Sequence, residues 1–167
     1  MADHSAIEIL AQSLVTSLTE AEKVVATAES CTGGWIAKAI TDIPGSSAVF
    51  HYGVVSYSNG AKESVLGVAA ERIEAHGAVS EPVVVEMAEG VLALSGADIA
   101  VAVSGVAGPD GGTEAKPVGT VWFAWAVRHA GRVTVTTAME CFDGDRELVR
   151  ELTVVHALEG IRTRMLA

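Results

Sequence analysis

Residues 24–40 have the sequence VVATAESCTGGWIAKAI, in which an apolar segment typical of a buried strand leads through a glycine pair into a helical pattern. Two hydroxyls and a thiol, in Ser30-Cys31-Thr32, therefore stand on a tight strand-to-helix turn. Backbone N–H groups at the start of a helix are unpaired, so such a turn can place a nucleophile beside an oxyanion or bind a phosphate. The alternative is structural: a hydroxyl caps the helix and the glycines permit close packing.

Helical and strand patterns alternate on both sides of this stretch. Helices are predicted at residues 5–19, 33–41, 61–67, 81–95 and 145–162, and strands at residues 24–28, 49–57, 98–104, 120–128 and 132–139. The last two strands are joined by a short turn and form an antiparallel hairpin. This order predicts an α/β fold, a three-layer α/β/α sandwich with a mixed parallel and antiparallel sheet, in one domain over residues 1–167. In such a sheet, ligands bind where the loops after the strands converge.

Two burial assignments follow from the same patterns. His51 lies within an apolar strand and is assigned to the core as a hydrogen-bonded histidine rather than a catalyst. In the last helix, the helical spacing places Leu148, Leu152, Val155 and Leu158 on the buried face.

The composition restricts the partners that this protein can have. The chain has 11 Lys and Arg against 21 Asp and Glu, a net charge of −10. A surface of that charge repels phosphates, so direct nucleic-acid binding is not expected. The cysteines have no metal-ligand spacing, no apolar run is long enough for a bilayer, and the N-terminus lacks the pattern of a signal peptide. We expect a cytoplasmic protein with no membrane contact, metal or cofactor.

A lysine follows the strand predicted at residues 49–57. The sequence YSNGAK at residues 57–62 ends that strand at a turn and places Lys62 near the start of a short helix. The positive end of the helix dipole lowers the pKa of an amine there, which suits a lysine that must be neutral to act as a base. The alternative is a solvated lysine that pairs with Glu63 or Glu71.

The connection at residues 105–119 is long and rich in glycine. It has neither the Gly-Lys-Ser/Thr of a P-loop nor the following helix of a dinucleotide fingerprint. Its five glycines let a backbone approach a ligand closely or form an N–H nest for an anion. A mobile surface loop is the equally weighted alternative.

Two arginines near the start of the last helix share one of its faces. Arg146 and Arg150 are spaced i,i+4 and could receive a phosphate or a carboxylate. Pairing with the acidic neighbours Asp143, Glu147 or Glu151 is the alternative.

Four motifs taken together resemble the CinA C-terminal domain family, to which nicotinamide-nucleotide amidohydrolases belong. They are AESCTGG at residues 28–34, YSNGAK at residues 57–62, GAVS at residues 77–80 and SGVAGPDGGTEAKPVG at residues 104–119. The likeness runs from about residue 7 to residue 165 and is to the stand-alone form of the family. It implies an α/β/α fold and hydrolysis of nicotinamide mononucleotide to nicotinate mononucleotide and ammonia, by a serine–lysine pair without metal or cofactor.

The resemblance also implies roles for single residues. Ser30 matches the nucleophile, Lys62 matches the general base, and Tyr57 would orient the lysine or relay a proton. The expected substrate-binding residues are Cys31, Thr32, Gly33, Gly34, Asn59, Gly105, Ala107, Gly108, Gly111, Gly112, Lys116 and Arg146. The expected partner is a small nucleotide, and the apolar composition together with the resemblance favours a homo-oligomer.

Two other interpretations stay open at this point. One is a non-catalytic domain that binds a nucleotide or a protein partner, in a regulatory role linked to competence or to the response to DNA damage. The other is an enzyme in which Cys31 rather than Ser30 is the nucleophile, although no histidine follows in a recognisable pattern.

Overall fold

A five-stranded mixed sheet forms the centre of the computed structural model, which describes residues 4–165. The strands are β1 (Val25–Glu29), β2 (Phe50–Val55), β3 (Ile99–Gly105), β4 (Thr120–His129) and β5 (Arg132–Cys141). They are arranged in the order β2-β1-β3-β4-β5. β1 is parallel to both β2 and β3, and β4 is antiparallel to both β3 and β5.

Helices cover both faces of this sheet. They are α1 (His4–Ala21), α2 (Trp35–Thr41), α3 (Asn59–Leu66), α4 (Ala70–His76), α5 (Glu81–Ser95) and α6 (Arg146–Met165), with a 3₁₀ turn at Ser46–Ala48. α1, α2 and α6 pack on one another on one side, while α5 covers the other side and contacts α3 and α4. The predicted α/β/α sandwich with a mixed sheet is confirmed.

The two faces of the sheet carry side chains of different size. The face towards α1, α2 and α6 has large residues such as Val101, Phe123 and Trp125, which are buried. The face towards α5 has alanines, which are Ala26, Ala28, Ala100, Ala102, Ala124 and Ala126. Because alanine rows leave the backbone of the sheet uncovered, α5 can approach it closely and fill that layer with its own valines and methionine.

Three loops meet at one edge of the sheet because β1, β2 and β3 are parallel neighbours. Their carboxyl ends lead into residues 30–34, 56–58 and 106–119. All five residues of β1 are buried, and burial continues through Ser30, Cys31 and Thr32, so the chain first reaches solvent at Gly33. The predicted convergence of these loops is the feature that positions the candidate site.

The assignments of His51 and Leu148 to the core are wrong, whereas Leu158 is buried as expected. His51 is exposed because β2 lies at the edge of the sheet rather than in its middle. Leu148 is 37% exposed, and the buried face of α6 instead includes Val149, Val154 and Ile161. Apolar residues lie at helical spacing on more than one face of α6. The contacts of α6 with α1 and the sheet determine which of these faces is buried.

Gly160 is the point at which α6 lies against the buried Trp125. The indole Nε1 donates a hydrogen bond to the Ala157 carbonyl at 3.2 Å, and a Cβ placed on Gly160 would overlap the indole ring. Alanine is favoured over glycine in a helix by about 1 kcal/mol, but overpacking a core costs roughly 1–3 kcal/mol. We expect Gly160→Ala to lower the free energy of unfolding in urea by about 1–2 kcal/mol.

Glu159→Ala is the control for this substitution, because Glu159 is the adjacent exposed residue of the same helix. Its effect should stay within about 0.5 kcal/mol. A Gly160→Ala protein as stable as the unmodified one would show that α6 can move away from Trp125 without cost.

Candidate active site

Ser30 and Lys62 form a buried hydrogen-bonded pair at the carboxyl edge of the sheet. The Lys62 Nζ lies 3.0 Å from the Ser30 Oγ, and the lysine is 1% exposed. α3 brings the amine there because the Ser58 side chain caps that helix, accepting a hydrogen bond from the Ala61 N–H at 3.1 Å. Two residues 32 positions apart in the chain thus share one site. The alternative of a solvated lysine paired with a glutamate is wrong.

The Lys62 amine is buried among three oxygen atoms. Its Nζ also lies 2.8 Å from the Ser56 carbonyl oxygen and 3.2 Å from the Tyr57 carbonyl oxygen. Burial lowers the pKa of Lys62 from its ordinary value of 10.5. In its neutral form the amine has two N–H groups and one lone pair, so donation to the two carbonyls would leave the lone pair for the Ser30 hydroxyl.

Glu29 holds the turn that carries Ser30. Its carboxylate is fully buried and accepts hydrogen bonds from the Thr32 hydroxyl at 2.6 Å, the Ile36 N–H at 2.8 Å and the Ala37 N–H at 3.0 Å. Burial raises the pKa of Glu29, while these bonds act in the opposite direction. Sequence reasoning missed this role, although an acid at the end of a buried strand was a visible signal.

Glu29 and the local turn use some of the N–H groups that were expected at an oxyanion. α2 begins at Trp35 rather than at the predicted Gly33, and its first N–H groups are bound to Glu29. The Gly33 N–H donates to the Ser30 carbonyl at 3.0 Å. The N–H groups of Cys31 and Thr32 take part in none of these bonds.

A cleft of about 310 Å³ opens next to the Ser30–Lys62 pair. Ten of the residues expected at the site line it, and they are Ser30, Cys31, Tyr57, Asn59, Lys62, Gly105, Ala107, Gly108, Gly111 and Arg146. Five further residues that were not selected from the sequence also line it, and they are Ala78, Val79, Ser104, Val106 and Asp110. All five belong to the family-like motifs at residues 77–80 and 104–119, so membership of those motifs was the signal that could have identified them.

Five expected residues lie outside this cleft. Thr32, Gly33 and Gly34 line a separate depression of about 380 Å³ together with Trp35, Lys38 and Arg150. Gly112 packs against Val118 within its own loop.

Lys116 is also outside the cleft. Its Nζ donates to the His76 carbonyl at 2.5 Å, at the end of α4. A helix C-terminus attracts a cation, so Lys116 anchors the glycine-rich loop to α4 instead of facing a ligand.

Arg146 connects two of the converging loops at the mouth of the cleft. Its guanidinium donates to the Gly108 carbonyl at 2.8 Å and to the Tyr57 hydroxyl at 3.2 Å. Tyr57 therefore contacts Lys62 through its backbone carbonyl, while its side chain, 60% exposed, reaches Arg146. Among the described residues that line the cleft, Arg146 and Lys62 are the only cations.

Neither a metal site nor a membrane-spanning helix is found in residues 4–165. No group of three or more histidine, cysteine or acidic side chains in this range could hold a metal ion. None of the helices described there has both the length and the hydropathy required to cross a bilayer.

Sequence and fold comparisons give consistent relatives. A family model described as the CinA C-terminal domain matches residues 7–165. The nicotinamide-nucleotide amidohydrolase PncC of Escherichia coli (strain K12) is 58% identical over 137 residues, which cover 82% of this chain and 81% of that protein. PncC of Pseudomonas putida is 54% identical over 155 residues, covering 93% and 94%.

The fold is similar to solved structures as well. The crystal structure of the competence damage-inducible protein A (ComA) from Klebsiella pneumoniae subsp. pneumoniae MGH 78578 has a TM-score of 0.90 and 44% identity, covering 96% of this chain and 97% of that one. Both kinds of likeness therefore extend over nearly the whole chain.

Proposed function

Because the chain belongs to the CinA C-terminal domain family, we propose that it is a nicotinamide-nucleotide amidohydrolase with a serine nucleophile and a lysine general base. The reaction converts nicotinamide mononucleotide and water to nicotinate mononucleotide and ammonia. The observation that carries the proposal is the 3.0 Å contact between Lys62 Nζ and Ser30 Oγ, in a chain 58% identical to a protein named for that activity.

Acylation begins with a proton transfer from Ser30 to the neutral amine of Lys62. A serine hydroxyl is a weak nucleophile until a base takes its proton, and an amide is a poor electrophile. The Ser30 Oγ then bonds to the carboxamide carbon, and the carbonyl oxygen becomes an oxyanion. N–H groups of Cys31 and Thr32 stabilise it, at roughly 3–4 kcal/mol for a well-placed donor.

The tetrahedral intermediate collapses when its C–N bond breaks. Lys62, now an ammonium, returns its proton to the departing nitrogen, which leaves as ammonia. In the second half, water attacks the acyl ester while Lys62 takes a proton from it. The ester C–O bond then breaks, Ser30 recovers that proton from Lys62, and the product acid, which keeps the other proton of the water, loses it to solvent to become the carboxylate. One lysine therefore serves both halves, as base and then as acid.

Arg146 is the residue that we assign to the phosphate of the substrate. Its exposed guanidinium stands at the mouth of a cleft in a protein with a net charge of −10, so it gives this acidic molecule a local site for an anion. A guanidinium can donate two parallel N–H bonds to a phosphate, and the Gly108 carbonyl holds it in place at 2.8 Å.

Arg146→Gln should raise the KM for nicotinamide mononucleotide roughly 10–100-fold, since a hydrogen bond to a charged group contributes about 1.5–3 kcal/mol. The kcat should change by less than about threefold. Nicotinamide riboside, which has no phosphate, is the control substrate, and its kcat/KM should stay the same in the variant. Equal losses for the two substrates would remove Arg146 from the phosphate site.

Cys31 should be dispensable as a nucleophile. Burial and the nearby Glu29 carboxylate raise the pKa of its thiol to about 12, so the reactive thiolate is scarce at neutral pH. We expect Cys31→Ala to release ammonia at a rate within about threefold of the unmodified protein. A loss comparable to that of Ser30→Ala would move the nucleophile to Cys31.

The direct test is ammonia release from nicotinamide mononucleotide by the purified protein, with nicotinate mononucleotide identified as the other product in equal amount. Release of ammonia and nicotinate mononucleotide in equal amounts supports the proposed amidohydrolase. Calorimetric binding of nicotinamide mononucleotide without ammonia release, by folded protein, would favour the non-catalytic nucleotide-binding domain instead.

A further inference from the structure

Arg150 contacts the turn that carries Ser30 from outside the cleft. Its Nε donates to the Cys31 carbonyl at 3.1 Å, and its Nη2 donates to the Thr32 carbonyl at 3.1 Å. The guanidinium carbon also lies 5.8 Å from the centroid of the Trp35 ring. Arg150 is not among the residues that line the Ser30 cleft, so it reaches the turn from the side of α6.

These two hydrogen bonds help to fix where the N–H groups of the turn point, together with the Trp35 N–H, which donates to the Thr32 carbonyl at 3.2 Å. The C=O and N–H of a trans peptide point in opposite directions. Because both carbonyls point towards Arg150, the N–H groups of Thr32 and Gly33, which belong to the same two peptides, point away from it. The Gly33 N–H reaches the Ser30 carbonyl at 3.0 Å. The Thr32 N–H, in the preceding peptide, is therefore directed towards the Ser30 side.

The turn needs such an external restraint because of its glycines. Gly33 has a φ of 62° and Gly34 a φ of 103°, both in the left-handed region where glycine moves freely. After the two glycines, Glu29 accepts hydrogen bonds from N–H groups at the start of α2. Before the two glycines, Arg150 donates hydrogen bonds to two backbone carbonyls. A carboxylate and a guanidinium thus fix the turn from its two sides.

We propose that Arg150 is a positioning residue for the acyl transfer, which holds the Thr32 N–H in place to receive the oxyanion. The inference rests on the proposed function, since the oxyanion forms only if an acyl group is transferred to Ser30. Arg150 touches neither the substrate nor Lys62 in this role. The guanidinium suits this role because its rigid planar fork presents one N–H donor to each carbonyl at a fixed spacing, whereas a lysine ammonium is a point charge on a flexible stem.

The test is steady-state kinetics on nicotinamide mononucleotide with Arg150→Met and Arg150→Lys. A misplaced oxyanion donor weakens only the transition state, so kcat should fall roughly 10–100-fold in Arg150→Met while KM changes by less than about threefold. Arg150→Lys should give an intermediate kcat. The midpoint of the rising part of the kcat against pH profile should be unchanged, since the contacts of Lys62 are intact.

Arg162→Met is the matched control, an exposed arginine on the same helix whose loss should leave kcat unchanged. Calorimetry with the product nicotinate mononucleotide should give the same number of sites per chain in Arg150→Met as in the unmodified protein. If the number of binding sites per chain falls by the same factor as kcat, the lost activity reflects chains that no longer fold. Arg150 would then be a purely structural residue, and the proposal would be overturned.

Three other outcomes would also overturn it: an unchanged kcat, a raised KM at constant kcat, or a shifted pH midpoint. The unmodified protein, measured in parallel, separates a failure of the proposed function from a failure of the role of Arg150. Absence of ammonia release there overturns both proposals, whereas normal release with an unaffected Arg150→Met overturns the role of Arg150 alone.

Discussion

Ser30→Ala is expected to lower kcat for nicotinamide mononucleotide roughly 10⁴–10⁶-fold, the range found when a nucleophile or its base is removed from a serine hydrolase. The hydroxyl oxygen forms the acyl bond, and the Lys62 Nζ that would take its proton lies 3.0 Å away. What remains after the substitution is the stabilisation by the oxyanion donors and by substrate binding. The measurement is ammonia release under saturating substrate, with the product carboxylate quantified in the same samples.

Two controls separate the chemistry of Ser30 from folding. The thermal midpoint of Ser30→Ala should stay within a few degrees of that of the unmodified protein, since the residue contributes one small side chain. Ser47→Ala, at an exposed serine in the 3₁₀ turn, should keep full activity. Full activity in Ser30→Ala would exclude Ser30 as the nucleophile.

Lys62→Met is expected to lower kcat by a similar factor, roughly 10⁴-fold or more, because the base and the nucleophile act as a unit. Methionine fills a similar volume in the buried site but has neither a lone pair of comparable basicity nor a proton to return. For the same reason the double variant Ser30→Ala with Lys62→Met should be no slower than either single variant. Losses that multiply would show that the two side chains act independently.

The activity of the unmodified protein should also rise with pH. Only neutral Lys62 can take the proton of Ser30, and burial lowers its pKa below 10.5. We expect kcat/KM to increase with pH and to level off before pH 10.5. Lys62→Arg should be inactive throughout, since a guanidinium keeps its proton at every accessible pH. A flat pH profile in the unmodified protein would contradict the role of Lys62.

The same pKa shift predicts how stability depends on pH. Below the folded-state pKa of Lys62, both the folded and the unfolded chain bind the proton, so this group adds no pH dependence. Between that pKa and the unfolded value of 10.5, the unfolded chain binds a proton that the folded chain does not. The free energy of unfolding therefore rises with pH in this window.

Urea denaturation across the window compares the unmodified protein with Lys62→Met. Lys62→Met should be the more stable protein below the window, since it buries no charge, and the difference should narrow as the pH rises. A constant difference would mean that the amine has the same pKa in both states.

Local patterns were sufficient for most of the architecture. The strand predicted at residues 24–28 is found as β1, one residue later, from its apolar run, and the helix predicted at residues 81–95 is found as α5, from its hydrophobic period and the glycine that ends it. The hairpin of β4 and β5 also appears where it was predicted, with Ala130 and Gly131 at positive φ in its turn. Signals of this kind are local, because hydrophobic periodicity and turn residues act between residues that are close in sequence.

The candidate site depended on contacts that no local pattern contains. Lys62 and Lys116 are both cations in family-like motifs, but one is buried against Ser30 and the other is held at the His76 carbonyl. Arg146 and Arg150 are one helical turn apart, yet the first faces the cleft and the second holds the back of the Ser30 turn.

The sequence by itself determined which residue types this protein places at the ends of its parallel strands, through periodicity and through a family likeness over residues 7–165. Only the tertiary structure decided which of them meet and which are desolvated. The bond between Arg150 and Cys31 joins residues 119 positions apart, and the loss of solvent around Lys62 comes from the loops and helices packed over it. Both are properties of the packed molecule, since distance and burial exist only once the layers have come together.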